Sequence, residues 1–209
     1  MYSISGLYAI TDGPRQDFRA AVEAALAGGT SVLQYRDKTG DHARRLSEAR
    51  WLSEVCAARG VPMIVNDDIG LAVACGAAGV HLGADDQSLA LARERLGAQA
   101  IIGISCYDSI ERARLAVAEG ASYVAFGAFF SSPTKPSARS ASIGLLHQSA
   151  DLGVPRVAIG GITPDNAPLL IEAGADSVAV ISAVFGSTDI RASAERFSGL
   201  FPRSSRDTP

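Results

Sequence analysis

Cysteine, histidine and tryptophan are scarce in this chain, and each scarcity removes a class of chemistry. Only three of its 209 residues are cysteine: Cys56, Cys75 and Cys106. They lie far apart, no CxxC pair occurs, and no Cys/His cluster has the spacing of a metal site. An odd number excludes a complete disulfide framework, so a reducing compartment is the simple reading. No apolar run approaches the roughly 20 residues of a membrane helix. The start, "MYSISGLYAI", lacks the basic region and long apolar core of a signal peptide. A cytoplasmic protein is expected. Basic charge is also lacking: the formal net charge is −3, which argues against a nucleic-acid surface but leaves room for a local cluster of cations that binds small anions.

What the chain has is apolar residue, at 47%, and 21 glycines spread along its length. That length is enough for one domain with a full core. Short apolar runs alternate with longer amphipathic ones. Strands are expected at 7–11, 31–36, 62–65, 79–82, 100–105, 123–127, 156–160 and 177–182. Helices are expected at 17–29, 41–60, 108–120 and 163–174, with N-caps at Asp17, Asp41, Asp108 and Thr163. Shorter helices fit 69–75, 88–96, 142–151 and 190–199. Strands that are apolar throughout are covered on both faces, and strict alternation with helices predicts a parallel α/β sheet.

An internal echo decides between an open and a closed sheet. "GGTSVLQY", "GAAGVHLG", "GASYVAFG" and "GADSVAVI" mark the second, fourth, sixth and eighth strands. A pattern recurring every second βα unit suits a ring, and no strand reads as a polar edge. The expected fold is a single (β/α)8 TIM barrel over 1–200, with a polar tail at 201–209. The chain is short for that fold, which can be built from about 200 residues. Its connections must be tight, 129–142 being the long exception.

Barrel enzymes carry their chemistry at the C-terminal ends of the strands. After the second strand, Gln34, Arg36 and Lys38 alternate onto one face. Two buried cations need acids or a ligand. The alternatives are a structural ion-pair network and an anion clamp suited to phosphate oxygens. After the third and fourth strands come "VNDD" (65–68) and "HLGADD" (81–86). Two acidic pairs can converge on Mg²⁺, which favours hard oxygen donors with phosphate and water; one ligand is expected from each pair, although Asp68 and Asp85 also suit helix caps. Ser105 ends the fifth strand. Cys106 beside it has no histidine partner and reads as packing. The loop "SSPTKP" (131–136) offers Ser132, Thr134 and Lys135. Gly160 and Gly161 after the seventh strand let a backbone approach a ligand closely, in the loops where this fold recurrently binds phosphate. His42 and His147 fall on helices, and His81 reads as a hydrogen-bonded core residue. Two anion-binding zones result, one of cations and a metal pair, the other mostly backbone.

In order, "LYAIT", "QYRDK", "VNDD", "GVHLG", "GIS", "GAFFSSPTKP", "AIGGI" and "VAVIS" resemble the thiamin phosphate synthase family over about residues 7–185. The resemblance implies a (β/α)8 barrel that joins a pyrimidine pyrophosphate to a thiazole phosphate and releases pyrophosphate. It implies that Gln34, Arg36, Lys38 and Asn66 hold the pyrimidine pyrophosphate, with Ser105 and Lys135 completing that site. Asp67 and Asp86 bind Mg²⁺. Ser132, Pro133, Thr134, Gly161, Ile181 and Ser182 hold the thiazole phosphate. The partners are small phosphorylated molecules, not nucleic acid or membrane, and a homo-oligomer is compatible with the sequence. The family mechanism is dissociative, so Arg36, Lys38, Ser105 and Lys135 serve catalysis by stabilising the leaving group. The chain departs from the family pattern at Ala84, Tyr107, Ala128 and Ser132; Ser132 keeps a hydroxyl, whereas Ala84 cannot hydrogen-bond. A thiazole tautomerase on the same barrel resembles this family but carries a histidine where Ala128 stands. A catalytically silent phosphate-binding barrel is the rival of another class, and it would be expected to lack Asp67 and Asp86.

Overall fold

The computed structural model describes residues 3–83, 88–131 and 141–202. Within them, eight strands pair in chain order and close into a barrel: β1 (Gly6–Ile10), β2 (Val32–Tyr35), β3 (Met63–Asn66), β4 (Gly79–Leu82), β5 (Ile101–Tyr107), β6 (Tyr123–Phe126), β7 (Arg156–Ile159) and β8 (Ser177–Val180). All pairings are parallel, and the ring closes where Tyr8 of β1 lies opposite Ala179 of β8. The helices outside are α1 (Phe18–Ala27), α2 (His42–Ala58), α3 (Ile69–Cys75), α4 (Leu89–Leu96), α5 (Ile110–Ala118), α6 (Gly144–Gln148), α7 (Ala167–Glu172), α8 (Ser182–Phe185) and α9 (Ile190–Ser198). None of them is long and apolar enough to cross a membrane.

Strand side chains alternate between two cores. One core lies between barrel and helices and holds Leu7, Ala9, Leu33, Tyr35, Val65 and Val80 with the apolar stripes of the helices. The other fills the barrel and holds Tyr8, Ile10, Val32, Ile64, Tyr123, Ala125, Val157 and Ala179. Because both faces are buried, the strands lack a polar side, and this is the physical basis of their continuous apolar runs. Gly103 shows how tightly the interior is filled. A Cβ there would come within 2.0 Å of the Tyr123 ring, so β5 needs a bare backbone for β6 to carry a tyrosine inward.

The structure corrects several boundaries. The sequence pattern carries the eighth strand to Ser182, but β8 stops at Val180, and the chain turns at once into the short helix α8. Helix α7 starts at Ala167 rather than after Thr163, because the Asn166 side chain closes the intervening turn: its Oδ1 accepts from Thr163 N at 2.8 Å and its amide donates to Gly161 O at 3.1 Å. Helix α6 is five residues long, half the expected span. The cap of α5 is Ser109, which accepts from Arg112 N, and not Asp108. Asp17 makes no capping bond to α1; it pairs with Arg15 at 2.6 Å. Asp41 caps α2 as expected, accepting from Arg44 N at 3.0 Å.

Candidate active site

A cavity of about 960 Å³ opens at the C-terminal ends of the strands. Its floor is Tyr8, Tyr123, Val157 and Ala179 from the barrel interior, and its rim carries Arg36, Asn66, Tyr107, Asp108, Gly160 and Ser182. A depression of about 360 Å³ outside α1 and α2, around Trp51, is lined by exposed or half-buried side chains only.

The second strand delivers its residues to different places. Gln34 points inward, is buried, and donates from Nε2 to the Tyr8 hydroxyl at 2.8 Å. Arg36 lies just beyond β2 on the cavity rim. Its backbone is fixed by Thr11, whose hydroxyl accepts from Arg36 N at 2.8 Å and donates to Arg36 O at 3.1 Å. Among the described residues, no acid pairs with its guanidinium, so the charge is available to an anion. Lys38 does not line the cavity; it is exposed and pairs with Asp67. The three residues that strand alternation put on one face are therefore graded by depth: a buried amide, a rim guanidinium and an outer ammonium paired with an acid.

Asp67 has φ +63°, a left-handed backbone that costs a residue with a side chain about 1 kcal/mol or more. Its N–H donates to His81 O at 2.8 Å, and Asn66 Nδ2 donates to its carboxylate at 2.6 Å. The neighbouring Asp68 is structural. It caps α3 through Leu71 N at 2.9 Å and pairs with Arg45 at 2.9 Å. Adjacent acids thus divide into a cap and a carboxylate turned toward Lys38. Among the described residues, no group of three or more His, Cys, Asp or Glu side chains converges as a metal site. The donors at Asp67 and Asn66 are hard oxygens without sulfur or imidazole. That suits Mg²⁺, which takes one or two carboxylates and completes its shell with water and substrate phosphate. The second expected ligand, Asp86, lies outside the described residues, as do Ala84, Asp85, Ser132, Pro133, Thr134 and Lys135.

Ser105 reaches the cavity from β5 and lies 2.9 Å from His81 Nε2. Its backbone carbonyl accepts from Arg112 Nε at 2.7 Å, and the Arg112 guanidinium stacks on Tyr107, another left-handed residue, with φ +52°. Cys106 is fully buried, and burial pushes its thiol up to about 12. It is a packing residue rather than a nucleophile.

On the opposite rim, Ile181 and Ser182 line the cavity where α8 begins. A short extra helix after the eighth strand is where this fold recurrently offers backbone N–H groups to phosphate. Gly160 lines the cavity too, but Gly161 does not. Both glycines are imposed by packing against the segment after β6. A Cβ at Gly160 would lie 2.4 Å from the Ala128 Cβ, and one at Gly161 would lie 2.5 Å from Ser131 O. The close approach expected of this pair is thus made to the chain's own backbone.

Strand patterns did not single out the floor. Tyr8 and Tyr123 read as apolar strand residues, although each ends in a hydroxyl that a barrel interior must satisfy. His81, read as a hydrogen-bonded core residue, is that and lines the cavity as well. Burial pushes it down to about 4, outweighing the opposing pull of Asp67.

Residues 7–184 match the family model described as thiamine monophosphate synthase. The chain is 54% identical over 200 residues to the thiamine-phosphate synthase of Chromobacterium violaceum, covering 95% of this chain and 97% of that protein. It is 53% identical to that of Nitrosococcus oceani, covering 96% and 94%. A solved thiamine phosphate pyrophosphorylase from Pyrococcus furiosus superposes with a TM-score of 0.84 at 33% identity, covering 93% of this chain and 94% of that one. A closed eight-stranded barrel, a cavity at its strand ends and these relatives along almost its whole length agree: the chain belongs to the thiamine monophosphate synthase family.

Proposed function

We propose that the cavity joins a hydroxymethylpyrimidine pyrophosphate to a thiazole phosphate, yielding thiamin phosphate and pyrophosphate. The observation that carries this reading is Arg36: a rim guanidinium with no acidic partner among the described residues, beside Asn66 and the Lys38–Asp67 pair, above an uncharged floor. Such a site takes a molecule that is anionic at one end and neutral at the other.

The carbon–oxygen bond between the pyrimidine methylene and pyrophosphate breaks first, and the electron pair leaves with the pyrophosphate. The thiazole nitrogen lone pair then forms the new carbon–nitrogen bond. Arg36, Lys38 and Lys135 donate to the departing oxygens, whose charge grows in the transition state. Fixed donors aimed at growing charge supply much of the rate enhancement in many enzymes. Gln34, Asn66 and Ser105 orient the pyrimidine end. Ser132, Pro133, Thr134, Gly161, Ile181 and Ser182 hold the thiazole phosphate so that its nitrogen faces the methylene carbon, and such orientation replaces an encounter between two free molecules. Asp67 and Asp86 hold Mg²⁺, which when bound supplies positive charge to the pyrophosphate. The reaction needs no protein nucleophile, in keeping with a buried Cys106 thiol and a neutral His81. Ala128, on the cavity wall, cannot move a proton, which disfavours the tautomerase reading.

The test supplies both substrates with Mg²⁺ and follows pyrophosphate release together with thiamin phosphate. Stoichiometric appearance of the two products is expected. Absence of product at saturating substrate sinks the reading.

A further inference from the structure

Five side chains from five strands form one continuous hydrogen-bond chain across the cavity floor. Gln34 Nε2 is 2.8 Å from the Tyr8 hydroxyl, Tyr8 is 2.8 Å from the Tyr123 hydroxyl, Tyr123 is 2.9 Å from His81 Nδ1, and His81 Nε2 is 2.9 Å from Ser105 Oγ. The rings are packed to keep this order. Tyr8 meets Tyr123 edge-on at 6.0 Å, and Tyr123 stacks on His81 at 5.6 Å with 22° between planes. Gly103 leaves the space that the Tyr123 ring occupies.

The chain has a direction because one end can only donate. An amide nitrogen has protons and no acceptor capacity, so Tyr8 accepts from Gln34, and among the described residues Tyr123 is the one acceptor left for the Tyr8 proton. Tyr123 accepts that proton and sends its own to His81 Nδ1. An imidazole that accepts at Nδ1 and is uncharged carries its proton on Nε2, which then donates to Ser105 Oγ. Among the described residues, Ser105 Oγ has no further partner. Its hydroxyl proton faces the cavity.

We infer that Tyr8, Tyr123 and His81 are positioning residues that fix Ser105 as a hydrogen-bond donor to the substrate, so that the ligand atom facing Ser105 must be an acceptor. Burial favours the uncharged hydroxyl at both tyrosines, which it holds well above their ordinary range. A neutral donor of fixed direction suits an unprotonated ring nitrogen. The opposite proton order would make Ser105 donate to His81 and face the ligand with lone pairs.

The tautomer of His81 reads the direction without any substrate. In protein carrying His42→Gln and His147→Gln, both surface positions, and labelled with ¹⁵N-histidine, His81 is the only imidazole. A long-range ¹H–¹⁵N spectrum at neutral pH is expected to show Nε2 protonated and Nδ1 bare. An Nδ1-protonated or charged ring overturns the inference.

Tyr8→Phe provides the second arm, because it cuts the chain next to its fixed end. The His81 tautomers should then mix, and the KM for the pyrimidine pyrophosphate should rise about three- to tenfold, the effect of one neutral hydrogen bond. The KM for the thiazole phosphate should not change. A pure Nε2–H tautomer with both KM values unchanged, or an equal rise in both, rules out the positioning role. The kinetic arm rests on the proposed function and the spectral arm does not. An Nε2–H tautomer in an unmutated chain that makes no product would support the polarity and sink the reaction.

Discussion

On the inner face of β2, Gln34 enters a chain of uncharged hydroxyls and an imidazole. On the outer face, Tyr35 and Asp37 enter a cluster of charges. The Tyr35 hydroxyl donates to Glu48 Oε2 at 2.7 Å. Arg44 of α2 lies 2.6 Å from Asp37, 3.1 Å from Glu48 and 2.6 Å from the Thr39 hydroxyl. The outer cluster pairs its buried charge internally: the Asp37 side chain is inaccessible to solvent, and the Arg44 guanidinium faces its Oδ2, an oxygen that has this ion pair and no hydrogen bond. The inner chain is complete except at Ser105 and the rim. The difference teaches where each kind of polar group is used. Charges fix the loop after β2 to its helix, and neutral groups form the floor of the cavity. Arg36, a rim cation without an acidic partner among the described residues, lines that cavity as well.

If this division is right, substitutions on the two sides should move different observables. Arg36→Ala should produce the largest effect, lowering turnover about 10²- to 10³-fold, as expected for a donor to developing charge. Its thermal midpoint should stay close to that of the unmutated chain. A comparable loss of stability would mean that Arg36 is a structural cation after all. Asp67→Ala should likewise cut turnover much more than stability; unchanged turnover would remove Asp67 from the metal site. On the outer side, Arg44→Ala should destabilise the fold by about 2–4 kcal/mol, because it leaves the Asp37 carboxylate buried without its cation. Urea unfolding measures this, and the turnover of the folded fraction should be nearly unaffected. If Arg44→Ala halts turnover while stability holds, the two faces of β2 are not separable.

The acid end of the pH–stability curve sharpens the outer side further. Burial acts to raise the Asp37 carboxyl, but the Arg44 contact and the Thr39 N–H outweigh it and hold the group below its ordinary value. A carboxylate lowered in the folded state adds stability that is present above its unfolded pKa and is lost as pH falls through the folded value. Asp37→Asn should therefore flatten the loss of stability below about pH 4, the ordinary range for Asp. An unchanged slope in urea titrations across that range would show that the Arg44 pairing does not hold Asp37 ionised.

The barrel was legible in the sequence because its strands are buried on both faces. Apolar runs with glycine punctuation then have few alternatives, and all eight strands fall where the pattern puts them. What escaped was local competition among polar groups. Ser109 rather than Asp108 caps α5, and an Asn166 side chain delays α7, because which nearby oxygen reaches a backbone N–H depends on turn geometry that spacing does not encode. In the site, Arg36 was read from its charge at a strand end and Asn66 from the family resemblance, and both line the cavity. Tyr8 and Tyr123 were missed, because a tyrosine in a strand reads as apolar, and only closure of the ring brings residues 115 positions apart to 2.8 Å. Lys38 was expected to share a face with Gln34 and Arg36. The regular strand ends at Tyr35, however, and beyond it alternation no longer dictates direction.

The smallest test compares two hydroxyls that a sequence cannot tell apart. Tyr35 and Tyr8 are both 1% exposed, and both donate or accept through a phenol within the protein. The Tyr35 hydroxyl ends on Glu48 in the outer cluster. Its removal in Tyr35→Phe should cost about 1.5–3 kcal/mol of stability, the net worth of a hydrogen bond to a charged group, and leave both substrate KM values where they were. In Tyr8→Phe the two lost bonds join uncharged groups and belong to the chain that ends at Ser105, so the effect should appear in the KM for the pyrimidine pyrophosphate. Chemical denaturation and steady-state kinetics on the pair decide the matter. If both variants lose only stability, the inner chain is packing like the outer one. If both change KM, the helix cluster reaches the cavity through the loop after β2, and the boundary lies outside the strand.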